Sequence, residues 1–354
     1  METICFIIGV VYITIAVMLA MSIKIVRCKP STDRRVSLII PARNEGKDLH
    51  RSLKSVEKLD YPIEKLQIVL VNHNSADDTL AQMQEFKERS RFETIIVDLK
   101  SYDPETSCKA EALRAGIEKA TGEVLAFTDA EARFAPGWLK SLAGNLKNGF
   151  DMAGGSVYLE KDGLFANLQS ADWTLLCAAG SGLTESGNPE SLFGKNMILT
   201  KSLYNKSGGF PEGKLWTEDL SLVQKCKKYG KITLNMSPDC AVESLPAPDI
   251  TSFFQQKLRW LKGGVSADVP GMTVMVSSVI MDLSLVISLF TSVEIFLMLY
   301  FFKLISDYIL LNKLSEFYFE NNLWRILPLY SLFASFYHTV ILIRMPFTYE
   351  LMWR

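Results

Sequence analysis

The chain has 354 residues, 48% of them apolar, which is enough material for a core and excludes a disordered chain. Lysine and arginine number 38 against 39 acids, so the formal net charge of −1 excludes the global basic field that holds nucleic acid. The six cysteines (Cys5, Cys28, Cys108, Cys177, Cys226 and Cys240) form no C-x-x-C pair and no small-domain framework, which excludes a zinc knuckle or disulfide scaffold and suits a reducing compartment.

Residues 3–23 (TICFIIGVVYITIAVMLAMSI) carry no charge. About twenty such residues, at 1.5 Å rise each, cross a hydrocarbon layer of roughly 30 Å. Only Glu2 precedes the stretch, whereas a cleaved signal begins with positive charge, so the segment reads as an anchor. Lys24, Arg27, Lys29, Arg34 and Arg35 follow it, and by the positive-inside rule they place the next domain in the cytoplasm.

That domain opens with the β-branched run 36–40 (VSLII), which meets Pro41 and the loop Ala42-Arg43-Asn44-Glu45-Gly46 before a helix spaced through Leu49, Leu53 and Val56. A second buried run, 66–71 (LQIVLV), ends in the polar loop 72–79. A third, 94–98, precedes a helix over 109–120, and a fourth, 123–128, runs into Asp129-Ala130-Glu131. Strands alternating with helices predict an α/β domain with a doubly wound, mostly parallel sheet, whose ligands bind beyond the carboxyl ends of the strands.

The second apolar zone, residues 272–311, contains Asp282, Glu294, Lys303 and Asp307. One helix of that length would reach roughly 60 Å, so two spans turning near residues 291–294 are expected. A third segment, 323–343, is apolar apart from Arg325 and His338. The expected organisation is an anchor at 1–24, a basic linker at 25–35, a cytoplasmic domain at 36–264 and a membrane region at 265–354 with about three hydrophobic segments. Three exit spans would carry the C-terminus outside, while Arg344 and Arg354 favour the cytoplasm. An interfacial amphipathic helix among the three is the other reading.

Several polar residues in these loops carry possible chemistry. Asp129 and Glu131 place two carboxylates at a strand end, where a divalent cation would offset their repulsion; an acidic first helical turn is the competing role. Glu218 and Asp219 begin a helix that continues as LSLVQKCKKYG, a position that suits a proton acceptor and also suits capping. Lys109 can bind phosphate as a point charge or stand solvated on its helix. His73 reads as a packing or surface residue before a general base, and Asp77 as a helix cap.

The order P-A-R-N-E, the 72–79 loop, K-A-x-A-L at 109–113, T-D-A-E at 128–131, T-E-D at 217–219 and Q-K-L-R-W at 256–260 resembles a membrane-bound family 2 glycosyltransferase over about residues 36–264. The resemblance implies a GT-A, Rossmann-like fold, a nucleotide-sugar donor, Mg2+ or Mn2+, and inversion at the anomeric carbon. It implies that Asp219 is the base with Glu218 in support, and that Asp129 and Glu131 hold the metal. Pro41, Arg43, Glu45, Asn72, Lys109, Asp129, Gln256, Arg259 and Trp260 are then the donor-binding candidates, and Asn196 the acceptor-side one. The family commonly has two aspartates where this chain has Asn72 and His73, and a second aspartate where it has Glu131. An amide both donates and accepts, so Asn72 could still read a uracil edge. Trp260 could offer its face to a sugar or anchor the chain at the membrane interface. The expected function is transfer of a hexose, UDP-linked, to a membrane-embedded lipid hydroxyl at the plasma membrane, the inner membrane of a bacterium. The bilayer is a partner and nucleic acid is not. A processive polysaccharide synthase is the alternative, and an inactive nucleotide-sugar-binding membrane protein a third.

Overall fold

The computed structural model describes residues 2–24, 28–101, 108–213, 215–315 and 323–347; Arg27 and Arg354 lie outside the described residues. Along the chain come α1 (Glu2–Ser22), β1 (Val36–Ala42), α2 (Leu49–Glu57), β2 (Leu66–His73), α3 (Thr79–Arg89), β3 (Glu93–Leu99), α4 (Lys109–Lys119) and β4 (Val124–Thr128). Then follow β5 (Arg133–Phe134), α5 (Trp138–Lys147), β6 (Met152–Gly155), β7 (Val157–Leu159), α6 (Gly163–Glu185), β8 (Asn196–Thr200), α7 (Lys201–Ser207) and α8 (Glu218–Cys226). The last elements are β9 (Ile232–Asn235), β10 (Val242–Ser244), α9 (Ile250–Gly264), α10 (Val269–Ser288), α11 (Val293–Ser315) and α12 (Leu323–Arg344). The described residues divide into a sheet unit, 28–157 and 191–245, and a helical unit, 2–24, 158–190 and 246–347.

In the sheet unit seven strands lie in the order β3-β2-β1-β4-β8-β6-β9. The first four are mutually parallel, β8 runs antiparallel to both β4 and β6, and β9 is parallel to β6. This is the expected mostly parallel α/β sheet, and helices cover both of its faces. Leu38 and Ile40 of β1 join Leu53 of α2, Phe86 of α3 and Trp138 of α5 in one core. On the other face α4 comes so close that a Cβ on Gly116 would lie 2.8 Å from Ile39 and 2.9 Å from Val71. β1, β2 and β4 are buried along their whole lengths, which is why they read as unbroken apolar runs. Each fully buried Leu, Ile or Val contributes about 1.5–3 kcal/mol by leaving water. The register pairs Ala42 with Asn72 and Asn72 with Asp98, so the loops after β1, β2 and β3 leave the sheet side by side.

In the helical unit α1, α10 and α12 are long and apolar enough to cross a membrane. The chain turns between α10 and α11 at residues 289–292, close to the expected position. α11, at 23 residues, is long enough for a span but carries Lys303 and Asp307 midway and is not among these three. Both are buried: Lys303 lies 3.1 Å from Asp282 and 3.4 Å from Asp307, while Ser331 and Tyr12 donate to Asp307 at 2.8 and 3.2 Å. His338 and Ser335 reach Asp282 at 2.6 and 2.7 Å. In a hydrocarbon setting each of these groups requires such a partner.

Residues 158–190 and 246–264, expected within the sheet domain, belong instead to the helical unit. The longest element in that difference is α6, which packs with α1, α11 and α12. Its Ser, Thr, Gly, Gln and Asp residues interrupt the apolar run, so no span-like stretch marks it in the sequence. A Cβ on its Gly182 would stand 2.8 Å from the Leu19 carbonyl oxygen, which shows how closely it meets α1.

Candidate active site

Two polar loops at the carboxyl edge of the sheet brace each other. Asn44 and Asn74 both adopt left-handed backbone, with φ of 54° and 51°. Across the gap Ser75 Oγ accepts from the Asn44 N–H at 3.0 Å, Thr79 Oγ1 from the Glu45 N–H at 2.9 Å, and Asn44 Oδ1 from the Ala76 N–H at 2.8 Å. Asp77, expected to cap α3, stands one residue before its N-cap Asp78 and accepts from the N–H of Thr79 at 3.1 Å and from the Gly46 N–H at 2.9 Å. A Cβ at Gly46 would lie 1.8 Å from Asp78 Oδ1, so a larger residue there would push the Asp78 carboxylate aside.

Beside these loops four acidic residues and two lysines converge. Lys109, the first residue of α4, binds Asp129 and lies 3.2 Å from Glu218. Lys195 lies 2.8 Å from Glu131 and 3.6 Å from Asp129, and donates to Ser244 Oγ at 2.7 Å. Burial alone would lower the Lys109 ammonium's pKa; Asp129 and Glu218 outweigh it and hold the value above the usual lysine range. The same balance, with Glu131 and Asp129 as the acids, raises Lys195. Neither Lys195 nor Ser244 was expected from sequence. The one available signal was the place of Lys195 beside Asn196, the acceptor-side candidate.

Asp219 lies in the first turn of α8 and accepts from the N–H groups of Leu220 at 2.8 Å and Gly194 at 3.0 Å. Its carboxyl is nevertheless pushed up to about 6, first by burial and then by the neighbouring Glu218 charge. A Cβ on Gly194 would sit 3.2 Å from Glu218 Oε1, so the missing side chain is what admits that backbone N–H. Glu45 is raised further, to about 8, by burial and then by Glu131 and Asp129, and so keeps its proton at neutral pH. Pro41 sits inside β1 opposite Val71, and Arg43 follows the strand.

Two candidates are buried among hydrogen-bond partners of the chain itself. Asn196, expected on the acceptor side, is fully buried: its amide donates to the carbonyls of Ser156 and Cys240 at 2.7 and 2.8 Å, and its oxygen accepts from Trp138 Nε1 at 2.9 Å. It joins β8 to its surroundings and has no amide hydrogen left for a ligand. Asn72, expected to read a base, is 2% exposed, donates to Asp98 at 2.7 Å and accepts from the Ser75 N–H at 3.3 Å. The bond to Asp98 ties the ends of β2 and β3 together. His73 is buried on β2, 3.4 Å from Glu111, and burial lowers its pKa.

Gln256, Arg259 and Trp260 lie on α9, in the helical unit. Within that unit Trp260 meets Trp173 at a ring-centroid distance of 4.9 Å, and Lys257 lies 4.2 Å from its ring. Lys257 is ion-paired with Asp172, which also accepts from Tyr330 at 3.0 Å and from Tyr337. The motif helix is thus tied to α6 and α12.

Asp129 and Glu131 offer the hard carboxylate oxygens that magnesium and manganese take. Among the described residues no three His, Cys, Asp or Glu side chains converge as a ligand set. The pair's two carboxylates would suit a cation that takes its remaining ligands from phosphate and water, the usual pattern for magnesium beside a nucleotide.

The family model described as Glycosyl transferase family 2 matches residues 37–206, and the one described as Glycosyl transferase family group 2 matches residues 124–351. The chain is 26% identical over 241 residues to "Probable glycosyltransferase YdaM" of Bacillus subtilis, covering 65% of this chain and 55% of that protein. It is 23% identical over 234 residues to "Poly-beta-1,6-N-acetyl-D-glucosamine synthase" of Staphylococcus epidermidis, covering 65% and 54%. The chain thus spans about half the length of the curated relatives it matches. Among solved structures, the mannosyltransferase PcManGT from Pyrobaculum calidifontis, in complex with GDP-Man and Mn2+, has the same fold, with a TM-score of 0.63 at 16% identity over 98% of both chains.

Proposed function

This chain belongs to glycosyl transferase family 2, and on that premise we propose that it moves a hexose from a nucleotide-sugar donor, UDP-linked by first choice, to a hydroxyl of a membrane lipid. The observation that carries the mechanism is Asp219, a buried carboxyl raised to about 6, which is ionised at neutral pH yet basic enough to take a proton. The acceptor hydroxyl oxygen forms its bond to the anomeric carbon while the bond from that carbon to the diphosphate oxygen breaks. The hydroxyl proton passes to Asp219, the electron pair leaves with the diphosphate, and attack from the opposite face inverts the centre. Glu218 raises the proton affinity of Asp219 and holds Lys109 beside the leaving group, where the ammonium offsets developing charge. When bound, a magnesium or manganese ion held by Asp129 and Glu131 neutralises charge on the diphosphate. The Mn2+ and GDP-Man of the Pyrobaculum enzyme support this reading and keep guanine beside uracil as a candidate base.

Arg43 and Glu45 complete the donor side next to Pro41 in the sheet unit; Gln256, Arg259 and Trp260 are donor-binding candidates by the resemblance of their motif alone, an arginine suiting phosphate and a tryptophan face suiting sugar. The sheet unit faces the cytoplasm, where nucleotide sugars are available, and the candidate membrane helices support a lipid as acceptor. A processive synthase is the second reading, favoured by the staphylococcal relative. Product size separates the two: membranes given labelled nucleotide sugars yield a lipid-extractable monoglycoside on the first reading and a high-mass polymer on the second. No transfer to lipid or polymer would leave only the inactive binding protein.

A further inference from the structure

The two carboxylates read as metal ligands are already occupied by ammonium groups. Lys109 binds Asp129 Oδ1, and Lys195 sits 3.6 Å from Asp129 Oδ2 and 2.8 Å from Glu131 Oε1. Ser244 closes a triangle, accepting from Lys195 at 2.7 Å and donating to the same Glu131 oxygen at 2.8 Å. Lys195 is 16% exposed and comes from the residue before β8, so its ammonium is held from the sheet and not from a free surface arm. Each negative charge on Asp129 and Glu131 is therefore matched before any cation arrives. A divalent ion entering alone must displace an ammonium that is well held. A nucleoside diphosphate changes this balance, because its oxygens receive the displaced ammonium and supply the metal's missing ligands at once.

We propose that Lys195 is the resident cation of the Asp129–Glu131 site and competes with the divalent metal, so that metal and diphosphate enter together. The proposal rests on the reading of Asp129 and Glu131 as metal ligands. It makes Lys195 a donor-site residue with two roles: holding the carboxylate pair together before the donor binds, and contacting phosphate afterwards.

Mn2+ binding to the full-length protein in detergent, followed by electron paramagnetic resonance, tests it without reference to turnover. In the absence of nucleotide, Lys195→Met should bind Mn2+ on the order of tenfold more tightly than the unsubstituted protein, since one facing positive charge is removed. Lys195→Arg should match the unsubstituted protein. With UDP or GDP present, Mn2+ affinity of the unsubstituted protein should rise toward that of the methionine variant. Lys195→Gln carries the same expectation should the methionine variant fail to fold. If both neutral variants bind Mn2+ no more tightly than the unsubstituted protein, while Asp129→Asn abolishes binding, the competition is disproved and the metal reading survives. Absence of Mn2+ binding to any form, even with UDP or GDP, would instead remove the metal reading beneath it.

Discussion

Asp219 accepts hydrogen bonds from two backbone N–H groups, which favour its ionised form, and burial with Glu218 still raises it to about 6. Two consequences are measurable. The rate should fall as pH drops below about 6, because the proton acceptor is then already protonated, and Asp219→Asn should lower turnover by roughly 10²-fold or more and abolish that limb. Nucleotide affinity, measured by calorimetry, should stay unchanged in the same variant. The stability sign is opposite: a carboxyl whose folded pKa lies above its unfolded value of about 3.9 stabilises the fold fully below that value and loses the contribution as pH rises to about 6. Asp219→Asn should therefore unfold at a slightly higher temperature than the unsubstituted protein at pH 7, and a lower melting temperature would show that its hydrogen bonds dominate. Glu45, raised to about 8, gives a contrasting forecast. Because it is neutral at pH 7, Glu45→Gln should keep nucleotide affinity within about threefold, whereas Glu131→Gln should weaken metal-dependent donor binding together with turnover. Both affinities are read by the same calorimetric titration.

At the scale of elements, side chains that look alike in sequence divide into those that hold elements together and those left to act. Asn196 saturates three hydrogen-bonding positions between β8, the segment before β7 and the turn before β10. Asn196→Ala should cost about 1–3 kcal/mol by stranding Trp138 Nε1 and removing a donor from two carbonyls, and should appear as a lower unfolding temperature with KM for acceptor unchanged in the folded fraction. A raised acceptor KM at normal stability would restore the acceptor role. Helix α9 has its own anchor in the Lys257–Asp172 pair, capped by Tyr330 and Tyr337. Lys257→Met alone leaves a buried carboxylate uncompensated and should destabilise by roughly 3–5 kcal/mol, while the double variant with Asp172→Asn should recover much of the loss. Thermal unfolding in one detergent compares all three proteins; equal melting temperatures would mean that the pair is incidental.

For the whole molecule the testable quantity is the side of the membrane on which the sheet unit lies. On the proposal that Lys24, Lys29, Arg34 and Arg35 keep the sheet unit in the cytoplasm, a cysteine placed at the exposed Lys100 in a cysteine-free background should react with an impermeant maleimide only after cells are permeabilised. Labelling of intact cells would reverse the topology. Much of the architecture was legible in sequence because its signals are local: uncharged runs of span length, strands buried on both faces, and polar loops at strand ends depend only on neighbours along the chain. The T-E-D pair and the Asp129–Glu131 pair were legible for the same reason, each being adjacent or nearly so. What only the tertiary structure decided were the pairings over long separations. Lys195 on Glu131, Asn196 turned inward to Trp138, Asn72 committed to Asp98, and α6 joined to the helical unit each depend on a partner between 26 and 64 residues away or on another element altogether. A lone lysine or asparagine has the same local preferences whether it faces a ligand or its own core. Its role is settled by which donors and acceptors the folded chain brings within hydrogen-bond reach, and burial makes leaving them unmatched too costly for any other arrangement.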